Sequence, residues 1–170
     1  MLKTLRRVIM PAVLIAGSGL LGGCTPSNSY VQPAGLSASN AATLVGTRTL
    51  NPDPTQGDLR VYVVEIDTRL TNGGPGGWND PIRLTPGSHR LDFGIAVGRN
   101  AWGFGLGIYQ FEAGKTYTLQ AAPPRAETGP HSLFYGWVEG PDGQRMGDRI
   151  AVDVRPFTGG GPVYIPILIK

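Results

Sequence analysis

The sequence predicts an all-β domain, a two-sheet antiparallel β-sandwich of about eight or nine short strands over residues 42–170. Three observations carry this expectation. Val, Ile, Leu, Phe and Tyr recur in short runs. The runs are separated by clusters drawn from 26 glycines and 15 prolines, the composition of strands joined by turns. No segment of useful length repeats its apolar residues at the helical period. The 170 residues suit one domain.

Taken in order, the chain begins with a basic stretch holding Lys3, Arg6 and Arg7. An uncharged apolar run, Val8 to Leu21, follows, and Gly22-Gly23 stands before Cys24. This is the layout of an export signal, and it is shorter than the roughly 20 apolar residues a spanning helix needs. Thr25 to Ala41 has no charge and no period, which predicts a flexible tether with a typical span of about 20–25 Å. Its scattered apolar residues, Tyr30, Val31 and Leu36, are the ones available to a partner.

The folded region opens with a short strand over Thr43 to Arg48, broken near Gly46. Leu59 to Asp67 is apolar on both faces, as a central strand is. Thr71 to Asp80 forms a long glycine-rich loop carrying Trp78. Pro86-Gly87 suits the middle of a type II turn, and Leu91, Phe93, Ile95 and Val97 then alternate with smaller or polar residues as a half-buried strand. In the next strand Trp102, Phe104, Leu106 and Ile108 alternate with Gly103, Gly105 and Gly107, leaving one face bare for a neighbouring ring or backbone to approach. Thr116 to Ala122 follows a glycine turn. Leu133 to Glu139 and Arg149 to Val154 pair across Gly140-Pro141-Asp142-Gly143. Val163 to Ile169 is the last expected strand, with Pro166 marking an edge or a bulge. Trp102 and Trp137 are expected to pack in the core.

Two stretches resemble known families. Leu21-Gly22-Gly23-Cys24 is similar to the lipobox of bacterial lipoproteins: an aliphatic residue, two small ones, then cysteine. The resemblance implies cleavage between Gly23 and Cys24 and diacylglycerol on the Cys24 sulfur, with a further acyl chain such as palmitate on the new N-terminus. The expected organisation is then a signal peptide over 1–23, an acylated cysteine and tether over 24–41, and one domain over 42–170. Thr25 stands where an aspartate would favour inner-membrane retention, which implies the outer membrane, facing the periplasm. Thr85-Pro86-Gly87-Ser88-His89-Arg90-Leu91 resembles one turn of PEGA-type and carboxypeptidase-regulatory-like β-sandwich modules. That resemblance supports the fold class and implies no activity.

Charge narrows the partners. The formal net charge is +3, but Lys3, Arg6 and Arg7 precede Cys24, and the remaining 12 basic residues face 12 acidic ones. No basic stripe is left for nucleic acid. The single cysteine excludes an internal disulfide.

No catalytic constellation is legible. Ser132 lies in neither a Gly-x-Ser-x-Gly elbow nor a Ser-x-x-Lys motif. Gly103, Gly105 and Gly107 sit inside a strand pattern and not before a helix, which excludes a dinucleotide fingerprint. His89 and His131 are too far apart in sequence to imply a metal site, and His89 is expected to bond locally at its turn. No metal or cofactor is expected. The residues singled out for ligand contact are Trp78, Asn79 and Asp80. The leading expectation is a non-catalytic, membrane-anchored structural or protein-interaction module of the bacterial envelope. The alternative is a carbohydrate- or peptidoglycan-binding module using Trp78 and its neighbours.

Overall fold

A computed structural model describes residues 28–51, 57–123 and 132–156. The signal stretch with Cys24, the loop containing His131, and the expected strand Val163 to Ile169 lie outside the described residues. Every regular element within them is a strand. In chain order these are β1 (Ala42–Val45), β2 (Thr47–Thr49), β3 (Leu59–Ile66), β4 (Arg69–Leu70), β5 (Ile82–Leu84), β6 (Gly87–Val97), β7 (Ala101–Phe111), β8 (Thr116–Ala122), β9 (Ser132–Glu139) and β10 (Arg145–Pro156). The all-β class is as expected. The pairing is not that of two separate antiparallel sheets. All ten strands belong to one mixed sheet, ordered β2-β3-β6-β7-β10-β9-β8-β1-β5, with β4 beside β3.

The sheet curls because of Gly46. β1 pairs in parallel with β8 near one end of the order, while β2 pairs antiparallel with β3 at the other. One residue separates them, so the two ends of the sheet meet there and the whole bends into a half-barrel. The Thr47 hydroxyl donates to the Leu119 carbonyl at 2.6 Å and ties the junction. A Cβ on Gly46 would collide with the carbonyl oxygens of Val61 and Trp78, so a side chain is excluded at this position. On the far side β10 makes the turn: it pairs with β9 up to Val154, then with β7 at Arg155 and Pro156.

The curled sheet faces inward onto one core. The β6–β7 hairpin is in register over its whole length, setting Leu91, Phe93 and Ile95 opposite Gly107, Gly105 and Gly103. The bare face of β7 is therefore the inner one. Phe93, fully buried, fills it: a Cβ on Gly105 would lie 2.5 Å from its ring, and one on Gly136 of β9 would overlap it. The ring thus bridges the two halves of the sheet. Next to it Phe111 meets Tyr117 edge-on at 4.8 Å, and the Tyr117 hydroxyl accepts the Glu112 N–H at 2.9 Å.

With glycines inside, the large residues of β7 point out. Trp102, Phe104 and Leu106 are half-buried on the outer face and Ile108 is 71% exposed. Trp137 also faces outward, with the Arg149 guanidinium 5.1 Å from its ring centre. The core positions expected for both tryptophans are taken by Phe93 and its neighbours. On the same outer face Tyr62 covers Gly94, its cross-strand partner, and is only 5% exposed. Gly87 adopts φ 134°, which requires glycine, although it lies beyond the +80° of a type II turn.

The stretch expected as a tether follows the domain from Asn28 onward. Leu70 donates to Asn28 O at 2.8 Å and Tyr30 N–H to Leu70 O at 2.7 Å. Asn40 closes a turn by accepting the Ser37 N–H and donating to Gly35 O. Ala41 is fully buried, and its carbonyl accepts the Gly114 N–H.

Two predictions follow from the core. Gly136→Ala is expected to cost about 1–3 kcal/mol by overpacking, read by urea unfolding, and Phe93→Leu in the same chain to recover part of that loss. The second concerns Tyr109, whose buried hydroxyl has no hydrogen-bond partner and whose pKa burial pushes up to about 12. A phenol with a folded-state pKa above its unfolded value of about 10 stabilises fully below pH 10 and loses that contribution as pH rises towards 12. Tyr109→Phe should leave neutral-pH stability unchanged or raised by up to about 1 kcal/mol, and should flatten the alkaline decline. A large loss at neutral pH would mean that the hydroxyl has a partner.

Candidate functional site

The glycine-rich loop after β4 is built to carry Trp78 to the sheet junction. The Thr71 hydroxyl donates towards Val63 O at 2.8 Å and accepts the Gly73 N–H at 3.1 Å. These bonds are available because β3 is irregular between Val63 and Glu65, where a β-bulge displaces the ladder. Two turns follow, Gly77 N–H to Gly74 O and Asp80 N–H to Gly77 O. The Trp78 carbonyl then accepts the Gly46 N–H at 2.9 Å. The residue that bends the sheet also fixes the backbone of the tryptophan.

Between this loop and the docked N-terminal segment lies a cleft of about 170 Å³. Trp78, Asp80, Asn72, Tyr30 and Gln32 bring polar and aromatic groups to it, over an apolar floor that includes Val63 and Ile82. At about 30 Å³ per water it has room for some six waters, or one small ring. The Tyr30 hydroxyl donates to Arg83 O at 2.8 Å, which fixes that side chain as a wall. Burial, and then the charge of Asp67, raise its pKa, so the phenol stays neutral. Gln32, Asn72 and Asp80 are exposed and present an amide, an amide and a carboxylate. No basic side chain is among the lining residues.

Of the three residues singled out from sequence, Trp78 and Asp80 line the cleft; Asn79 is exposed and does not. Tyr30 is expected from sequence only as a linker residue available to a partner, and Gln32 carries no signal, because a polar, aperiodic stretch reads as linker. Asn72 was also missed. It lies in the predicted loop, but no local signal separates a loop amide at a cleft from one in solvent.

The second polar cluster surrounds His89, which is buried. Its Nδ1 donates to Asp67 Oδ2 at 2.7 Å, and its Nε2 lies 2.8 Å from Thr85 O and 3.3 Å from the Thr85 hydroxyl. The expected local bond at the turn is present, and a bond to Asp67 is added. Asp67 and Thr68 both take positive φ, 50° and 67°, the tight hairpin geometry usually given to Asn-Gly. The Asp67 carboxylate offsets that strain by holding His89 and the Arg90 N–H. The Thr85-His89-Asp67 set has the order of a nucleophile triad, but both ring nitrogens face oxygen acceptors at short range. A ring held at both nitrogens in this way clamps the turn. His131 lies outside the described residues, as does the side chain of Ser132.

No protein-family model, curated protein or solved structure matches the chain.

Thr71→Val removes the hydroxyl that ties the loop to β3. It is expected to cost about 1 kcal/mol and to speed amide exchange selectively at Gly73 to Asp80. Unchanged exchange there would show that the backbone bonds of the loop, Gly46 N–H to Trp78 O among them, hold it without the Thr71 hydroxyl.

Proposed function

We propose that the chain is a lipid-anchored, non-catalytic binding module of the bacterial envelope, and that its ligand is a neutral saccharide unit such as those of the peptidoglycan strand. The observation that carries this is the cleft shared by Trp78, Tyr30, Gln32, Asn72 and Asp80. Its chemistry selects among ligand classes. A lining with one carboxylate and no basic side chain disfavours anions. Amides and a carboxylate serve ligands rich in hydroxyl or amide donors. Two aromatic side chains supply the apolar contact a sugar face requires. The volume suits one ring, with flanking units outside, so a modest affinity suits the site better than a deep drug-like one.

The anchor part of the reading rests on Leu21-Gly22-Gly23-Cys24, with acyl chains on Cys24 holding the domain at the periplasmic face of the outer membrane. Two or three long chains exceed what stable attachment requires. A purely structural or protein-interaction role is the broader form of the same proposal, and the cleft narrows it. In the finer fold reading, the β2-β3-β6-β7 half and the β10-β9-β8-β1-β5 half act as the two layers of a flattened sandwich around Phe93.

Retention on purified sacculi tests the ligand. Trp78→Ala and Gln32→Ala are each expected to weaken retention about tenfold, equivalent to some 1.4 kcal/mol, and soluble N-acetylhexosamine oligomers to compete. Retention indifferent to Trp78→Ala would reject the cleft. Cys24→Ala is expected to abolish acyl labelling and leave an uncleaved precursor; normal labelling of that variant would reject the anchor.

A further inference from the structure

We propose that the domain does not float on a tether but is seated on the bilayer by the outer face of β4, β3, β6 and β7. This rests on the reading of Cys24 as the acylated residue. The first argument is reach. Asn28 is hydrogen-bonded to Leu70, and four residues of extended chain span at most about 14 Å. An acylated Cys24 therefore lies within about 14 Å of β4, well inside the 20–25 Å given by a free linker running to residue 41.

The second argument is what that surface presents. Among the described residues the exposed large apolar ones are Val31, Leu50, Leu70 and Ile108, and three of these four belong to this face. Leu70 stands opposite Glu65, Glu65 opposite Asp92, and Asp92 opposite Leu106. Cross-strand partners share a face, and Ile108 is two residues along from Leu106 on the same side. Ser29 bridges Leu70. Alternation brings Val31 to the side of Ser29, while Tyr30 on the other side reaches Arg83 O and the cleft. Val31 is 72% exposed, Leu70 45% and Ile108 71%. Leu70 and Leu106 are three strand steps apart, about 14 Å, so the apolar groups cover a footprint and not a point. Of the two carboxylates between them, Asp92 is neutralised by Arg90, which donates to both its oxygens at 3.1 Å, and Glu65 is half-buried between β4 and β6. A face with few charges and protruding aliphatic side chains, beside the attachment point, fits the headgroup and upper acyl region of a lipid surface.

The seating also places the cleft. Tyr30 and Gln32 are part of the segment that docks the anchor, so the ligand site opens beside the membrane.

The test uses the full acylated chain, in which Cys24 is blocked and an introduced cysteine is the only free thiol. An environment-sensitive fluorophore is placed on Val31→Cys, Leu70→Cys, Ile108→Cys and, as a control, Asn100→Cys in the β6–β7 turn. Asp67 is level with Arg90, and the strand from there to Val97 puts that turn about 25 Å from the Asp67 end. The proteins are reconstituted into phosphatidylethanolamine–phosphatidylglycerol vesicles. The first three labels are expected to shift to the blue and to lose most of their emission to brominated lipid, while the Asn100 label stays in water. Mass analysis of each preparation reports the acylation of Cys24. An unacylated chain overturns the anchor reading and the seating with it. An acylated chain whose labels at 31, 70 and 108 match the control overturns the seating alone.

Discussion

The Phe93 ring is the contact on which the rest of the structure depends. It is fully buried in β6 and lies against Gly105 in the adjoining β7 and Gly136 in β9, across the core. A single aromatic side chain therefore sets the separation of the two halves of the curled sheet. Packing at interior density leaves no slack for a methyl group at either glycine. The same choice fixes which way β7 faces. Because the inner side of β7 must be bare, Trp102, Phe104, Leu106 and Ile108 are turned outward. The apolar outer face is thus a consequence of how the core is filled.

Gly46 plays the corresponding role at the seam. Its missing side chain lets the Val61 and Trp78 carbonyls approach, and its N–H is bonded to Trp78. Sheet curvature and site geometry converge on this residue. The loop carrying Trp78 is further held by Thr71 at the β3 bulge. The Asp67–His89 clamp shapes the adjoining turn, and that turn leads into β4, to which the Asn28–Tyr30 segment is bonded. The cleft is therefore framed by rigid sheet features even though most of its lining comes from loops.

The strands were legible because alternation and β-branched runs are local signals. Leu59 to Asp67 and Thr116 to Ala122 match β3 and β8 nearly to the residue; the Gly140–Gly143 turn and the strand before it also match, but the partner strand starts at Arg145, four residues before the expected Arg149. The topology was not legible. That β1 runs parallel to β8 is decided by where distant strands end, and no short window contains it. The bare face of β7 was visible, but not its direction, because alternation shows two faces without saying which is inside. The Asp67–Thr68 turn carries neither Gly nor Asn at its left-handed positions and was invisible for that reason. At the site, Trp78 and Asp80 stood out as an aromatic and an acid in a glycine loop. Tyr30 and Gln32 did not, since their order comes from Leu70 and Arg83, residues far along the chain.

The parallel pairing of β1 with β8 has a consequence for the order of assembly. Thr43 pairs with Arg83 of β5 as well as with Thr116 of β8, so one edge of β1 can be satisfied by nearer chain while the other waits for β8. The β6–β7 and β9–β10 hairpins close over short loops and carry much less entropic cost. The β1–β8 seam is therefore closed late, after the hairpins of the later chain. A polypeptide made in sequence order would hold β1 open along its β8 edge until synthesis had passed Ala122. Until then the edge of β8 is an unpaired strand edge, open to pairing with any other extended chain, and closing the seam removes that hazard.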